Sequence, residues 1–168
     1  MTTFNNKGKA AKPNNSLYQT GKMLTTVHTD ILVDVSEVSD GDLFVLADNL
    51  SLTDRIHRLF SPEAVPALTA ADDNDFGFYR YDKDNNLIAV DADILIDGAD
   101  LSSSIAQGDL LRLNSSLDRT KTIGELLSLD ADDEYFKGLA LVMTMNTAAT
   151  TTDQSLDLDV IIEKATTL

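Results

Sequence analysis

A chain of 168 residues, 43% of them hydrophobic, is long enough to fold as one domain with a substantial core and too short for two domains of ordinary size. It has no Cys, which excludes disulfides, thiolate zinc sites, iron–sulfur clusters and Cys nucleophiles. The net charge of −15 divides unevenly: residues 1–29 hold four Lys and no acid, and all 28 acids follow them against nine Lys and Arg. A basic tail thus precedes an acidic body, and an acidic body repels nucleic acid and anionic membrane, so neither is expected as a partner. No apolar run approaches the 18 residues of a membrane span, and the N-terminus lacks the apolar centre of a secretory signal. A soluble protein made in a cytoplasm is expected.

Residues 1–23, "MTTFNNKGKAAKPNNSLYQTGKM", have no period and offer few anchors: Phe4, Leu17, Tyr18 and Met23. An extended arm is predicted, ordered where something binds it, with the domain boundary at 29/30. Beyond it the hydrophobic period is that of strands. "DILVDVSEV" alternates Ile31, Val33 and Val35 with polar residues, and "GDLFVLADNL" follows the turn "SDG". "LTDRIHRLF" reads as a third strand, ended by the two prolines of "SPEAVP".

The stretch "YRYDKDNNLIAVDADILIDGAD", residues 79–100, has the rhythm of a calcium loop, with Asp82, Asp84, Asn86 and Asp93 at ligand positions. Leu87 stands where that loop needs Gly, position 12 holds Asp in place of Glu, and the flanks are aromatic and β-branched where an EF-hand has helices. A β-hairpin from Phe76 to Leu95, turning at "DKDNN", is the expectation, with weak surface calcium binding as the alternative. "SPEAVPALTAADDNDFG" offers Asp72, Asp73 and Asp75 either as cation ligands or as a solvated connection; the second reading is preferred.

"GADLSSS" reads as a loop or one helical turn, and "GDLLRLN" as another short strand. "TIGELLSLDADDEYF" has helical spacing at Ile123, Leu126 and Leu127, for one or two turns. "KGLALVMTMNT" and "SLDLDVIIEK" alternate strongly, which turns Leu139, Leu141, Met143, Met145 and Leu156, Leu158, Val160, Ile162 inward. A Thr-rich hairpin loop, "NTAATTTDQ", is expected between them. Seven or eight short strands with little helix imply an all-β fold, an antiparallel β-sandwich or barrel spanning residues 30–168.

Chemistry is sparse. His28 and His57 are the only groups that titrate unaided near neutrality, and surface positions on strands explain them better than a triad or a metal site. No "GxSxG", "GxxxxGK" or "GxGxxG" occurs. A glycosidase needs only two carboxylates, but 28 acids place such pairs together by chance, and there is no Trp to stack on a sugar. No catalytic, cofactor-binding or metal residue is assigned, and a non-enzymatic protein is expected.

The order of segments resembles that of small virion structural proteins of tailed bacteriophages, of the head decoration or cement type. The resemblance rests on Asp75, Gly77, Phe78 and Tyr79 running into a polar turn, then on Asp91–Asp93 and Gly98–Leu101, and then on the strand and Thr/Ala loop of Leu139–Thr152. It spans roughly residues 30–166 and carries no catalytic residue. It implies a jelly-roll-like β-sandwich on the virion capsid surface, made in the host cytoplasm, whose partners are the major capsid protein and neighbouring copies in a homo-oligomer such as a trimer. The arm residues Phe4, Lys7, Lys9, Lys12, Leu17 and Tyr18 would then make the contacts. The alternative is a receptor- or glycan-binding module of a tail or fibre.

Overall fold

A computed structural model describes residues 3–4, 18–19, 22–129, 138–150 and 153–164, with side chains described from Leu24 onward. The fold is all-β. Its strands are β1 (Thr3–Phe4), β2 (Tyr18–Gln19), β3 (Lys22–Val33), β4 (Asp42–Leu50), β5 (Arg55–Ser61), β6 (Asn74–Tyr81), β7 (Leu87–Ile96), β8 (Gly108–Asp109), β9 (Leu139–Met145) and β10 (Gln154–Lys164). One sheet has the order β1-β4-β9-β6-β7 and the other β2-β3-β10-β5-β8. Only β1, lying along β4, runs parallel to its neighbour.

The pairings nest. β6 pairs with β7, β5 with β8, β4 with β9 and β3 with β10, all antiparallel. Eight strands therefore make one long two-stranded ribbon, with its tip at residues 82–86, and successive rungs fall in opposite sheets. One continuous apolar cluster draws on both sheets, including Ile31 and Leu158 from one and Phe44, Phe76 and Met143 from the other. Alternation explains the fit: Leu156, Leu158, Val160 and Ile162 are all buried, and the residues between them are not. β9 is buried along its whole length. Its odd positions face the shared core, whereas Ala140 and Val142 join Leu43, Tyr79, Tyr81 and Leu87 in a second cluster on the other side of the same sheet.

The acidic hairpin forms as the residue types dictate. Asp82 accepts hydrogen bonds from the backbone N–H groups of Asp84 and Asn86, and Asn85 takes a left-handed φ of 68° that an amide residue tolerates. The short helix α1 (Ile123–Leu127) begins with a capping box: Thr122 Oγ1 accepts from the Glu125 N–H while the Glu125 carboxylate accepts from the Thr122 N–H.

Four expectations are corrected. The first strand starts at Lys22, inside the stretch assigned to the arm, because "TTVHT" continues the β-branched alternation and pairs with β10 as far as Met23 and Lys164. The same strand stops at Val33, short of Val35, because the Asp34 carboxylate accepts the Ser36 N–H and bends the chain. "GDLLRLN" is a strand only at Gly108–Asp109: the Asp109 side chain accepts the Leu111 N–H and starts a 3-10 helix, Leu110–Leu113. Finally, β9 and β10 lie in different sheets, so their connection is a crossing between sheets and no hairpin loop. Both strands bury one apolar face in the same core, and facing each other from opposite sheets satisfies both.

Candidate interaction surface

The alternating strand directions put the connections 34–41, 62–73 and 97–107, together with residues 146–150 and 153, at one end of the two sheets. Backbone hydrogen bonds lash them together. Asn146 and Thr147 N–H donate to Asp73 O, Thr150 N–H to Thr69 O and Leu101 N–H to Ala71 O. The carboxylates serve the same purpose. Asp75 accepts from Gly98 N–H at 2.9 Å and from Asn146 Nδ2 at 2.7 Å, Asp40 accepts from Ala148 N–H and Asp153 from Val35 N–H.

Three acids lie in 34–41, three in 62–73, two in 97–107 and one in 146–153, and none of these segments contains Lys or Arg. Arg112 reaches this end from outside them and donates to Ala106 O. Hydrogen bonds from Ser36 hold the Asp34 carboxyl below its ordinary range, and those from Ser102 do the same for Asp100. These two carboxylates therefore keep their negative charge to lower pH than an ordinary aspartate does.

The other feature is the side of the molecule where β3 and β4 lie. The two short N-terminal strands sit there: Thr3–Phe4 beside Leu43–Phe44 at the start of β4, and Tyr18–Gln19 beside Lys22–Met23 at the start of β3. Each attaches by two residue pairs. Of the residues expected to contact a partner, Phe4 and Tyr18 fall in these strands, with only their backbone described; Lys7, Lys9, Lys12 and Leu17 lie outside the described residues.

The titratable groups weighed in the sequence are kept apart. His28 Nδ1 is 2.8 Å from Asp159 Oδ1 on the outer face of the second sheet, and His57 is exposed on β5, with β10 between their strands. Asp72 is exposed, whereas Asp73 and Asp75 tie the loops as described, which is the solvated-connection reading with a fastening role added. Among the described residues no group of three or more His, Asp or Glu is placed to hold a metal ion, and no helix is long and apolar enough to cross a membrane.

Sequence reasoning missed two tyrosine contacts. The Tyr79 hydroxyl lies 2.7 Å from Thr144 Oγ1, and the Tyr81 hydroxyl donates to Asp48 Oδ2 at 3.2 Å. Burial, aided by the Asp48 charge, pushes the Tyr81 hydroxyl up to about 12, and burial raises Tyr79 as well, so both hydroxyls stay protonated. It also missed Asp91, whose carboxyl is raised by desolvation and by its hydrogen bond and charge contact with Asp93. The "DAD" spacing was the available signal: in a regular strand it puts both carboxylates on one face.

No family model, curated protein or solved structure matches this chain.

Proposed function

We propose that this protein is a non-enzymatic virion structural protein that decorates and stabilises a phage capsid, with its N-terminal arm as the anchor. The observation that carries this reading is the strand nesting joined to an appended basic arm. Eight strands wound as four nested antiparallel pairs over two sheets support a jelly-roll-like reading, the double-sheet architecture found among capsid domains. The segment-by-segment resemblance to small tailed-phage head proteins points the same way. Residues 1–21 add three Lys and no acid to a body that is otherwise strongly negative, so tail and body address surfaces of opposite charge. A segment that orders on docking spreads contacts over a wide surface at an entropic cost, and a capsid lattice supplies the same docking surface many times over.

On this reading the partners are the major capsid protein and neighbouring copies of the chain, and the site of action is the capsid surface. The test is to mix purified protein with expanded heads that lack it, sediment the heads and count bound copies. Saturation at a ratio fixed by the icosahedral lattice is expected. Removing residues 1–19, which spares β3, should abolish binding and leave the far-ultraviolet spectrum of the sheets unchanged. Full occupancy by the shortened chain would sink the arm's role, and absence of binding by the intact chain would sink the capsid reading.

A further inference from the structure

The four outer strands of the two sheets, leaving aside the two-residue arm strands, are not equally protected. An edge strand presents unpaired N–H and C=O groups that template pairing with another chain, and folded proteins blunt it with bulges, prolines, lysines or brevity. β7 is broken by a large bulge, in which Asp91–Ile96 opposes only Phe76–Phe78. β8 is two residues long. β4 shifts register twice against β9 and carries Asn49 at a φ of 55°.

β3 has none of these devices beyond its first residues. It runs in unbroken register with β10 from Lys22's neighbour Met23 to Val33, contains no Pro, and its one Lys is Lys22, at the end where β2 pairs. From Leu24 to Val33 no described strand lies on its outer side. The same stretch holds Leu32, 63% exposed and the most exposed large hydrophobic residue among those described.

We infer that the β3 edge is an interface between two copies of this chain, in which β3 of one copy pairs antiparallel with β3 of the other about a two-fold axis and continues the second sheet across both. Such a contact is self-complementary, as a two-fold interface must be. Register follows from the faces. Thr29, Ile31 and Val33 point into the core and His28, Asp30 and Leu32 point out, so pairing must keep like faces together. Centring the axis on Thr29 sets His28 opposite the partner's Asp30, and by symmetry Asp30 opposite the partner's His28. His28, whose Nδ1 lies 2.8 Å from Asp159 Oδ1 in its own copy, then faces a second carboxylate, the partner's Asp30, and Leu32 is covered across from the partner's Thr26. This imidazole–carboxylate juxtaposition distinguishes this occupant from an arbitrary strand, because the only acid and the only histidine of β3 fall opposite each other twice.

The inference does not rest on the capsid reading and is tested on the purified full-length chain alone. Sedimentation equilibrium over a wide concentration range should show a monomer–dimer equilibrium, and Leu32→Lys should leave a monomer with unchanged circular dichroism. The chain has no Cys, so mixing His28→Cys chains with Asp30→Cys chains under mild oxidation should give a disulfide-linked dimer that neither variant forms as readily alone. A monomer at every concentration, the result if the chain's own residues 1–19 cover this edge, overturns the inference. So does a dimer that survives Leu32→Lys, or one that fails to cross-link between positions 28 and 30.

Discussion

Gly77 on β6 faces Asp91 on β7 so closely that a methyl group on Gly77 would stand 2.2 Å from the Asp91 carbonyl oxygen and 2.3 Å from the Ala92 carbonyl carbon. Both obstacles are backbone, and neither can swing aside. The absence of a side chain is what lets the β7 bulge fold in against β6, which in turn carries the Asp91–Asp93 pair. Gly77→Ala is therefore expected to destabilise the protein by more than ~3 kcal/mol, the upper end of ordinary overpacking. Urea unfolding monitored by tyrosine fluorescence measures it; a loss below 1 kcal/mol, within reach of ~0.5–1 kcal/mol propensity effects, would show that the bulge gives way.

Asp91→Asn should stabilise the protein at neutral pH. A carboxyl raised in the folded state binds its proton more tightly there than in the unfolded chain, so its relative benefit is present at low pH and lost as pH rises through the folded value. The amide removes that loss. The gain in Tm should be present at pH 7 and vanish below about pH 4, the ordinary carboxyl range. An equal gain at both pH values would point to packing instead.

The acidic end predicts the opposite slope. Asp34 and Asp100 are held below their ordinary range by serine hydrogen bonds, so their contribution to stability is present above that range and fades as pH falls through the folded values. Ser36→Ala with Ser102→Ala should lower the neutral plateau while leaving stability at the acid end little changed, which flattens the acid limb of the curve. Parallel acid limbs in the two proteins would remove these bonds as its cause.

Thr122→Ala removes one half of the capping box and should cost about 1 kcal/mol, with Thr122→Ser restoring most of it. The helix it caps is fastened to the β4–β5 turn through Gly124 N–H to Leu52 O and Ile123 N–H to Asp54 O. Hydrogen exchange at Ile123 and Gly124 should therefore accelerate in the alanine variant before exchange in β9 does.

Tyr81→Phe strips the hydroxyl from Asp48 and should cost about 1 kcal/mol, the net worth of one such bond. Spectrophotometric titration of the wild type should also show a tyrosine step near pH 12 that the variant lacks.

Strands whose two faces differ were readable from sequence, and β10 is the clearest case, with Leu, Leu, Val and Ile every second residue. The hairpin of β6 and β7 was readable because Asp82 and Asn85 are turn formers by their own chemistry. What escaped depends on distant neighbours. Whether "GDLLRLN" extends or coils is decided by the Asp109 side chain, which both caps the 3-10 helix and meets Arg119. That β9 and β10 part into different sheets is decided by β4 and β3, their partners 89 or more residues earlier. The acidic end was hidden in the same way. Each of its four connections shows in sequence as a stretch without Lys or Arg, but only the nested topology gathers them at one end.

That nesting also sets a timetable. The ribbon's tip, β6 with β7, can close as soon as residue 96 has been synthesised, since its strands are joined by five residues. Its far end joins β3 to β10, so the first long strand of the chain waits for the last one before it finds its main partner. Contacts so far apart in sequence are slow to form, and until they do β3 stays unpaired on both sides, with an apolar face open to any neighbour on the same messenger. Production of this protein is therefore expected to be most sensitive to crowding and temperature in the interval between synthesis of β9 and release of β10.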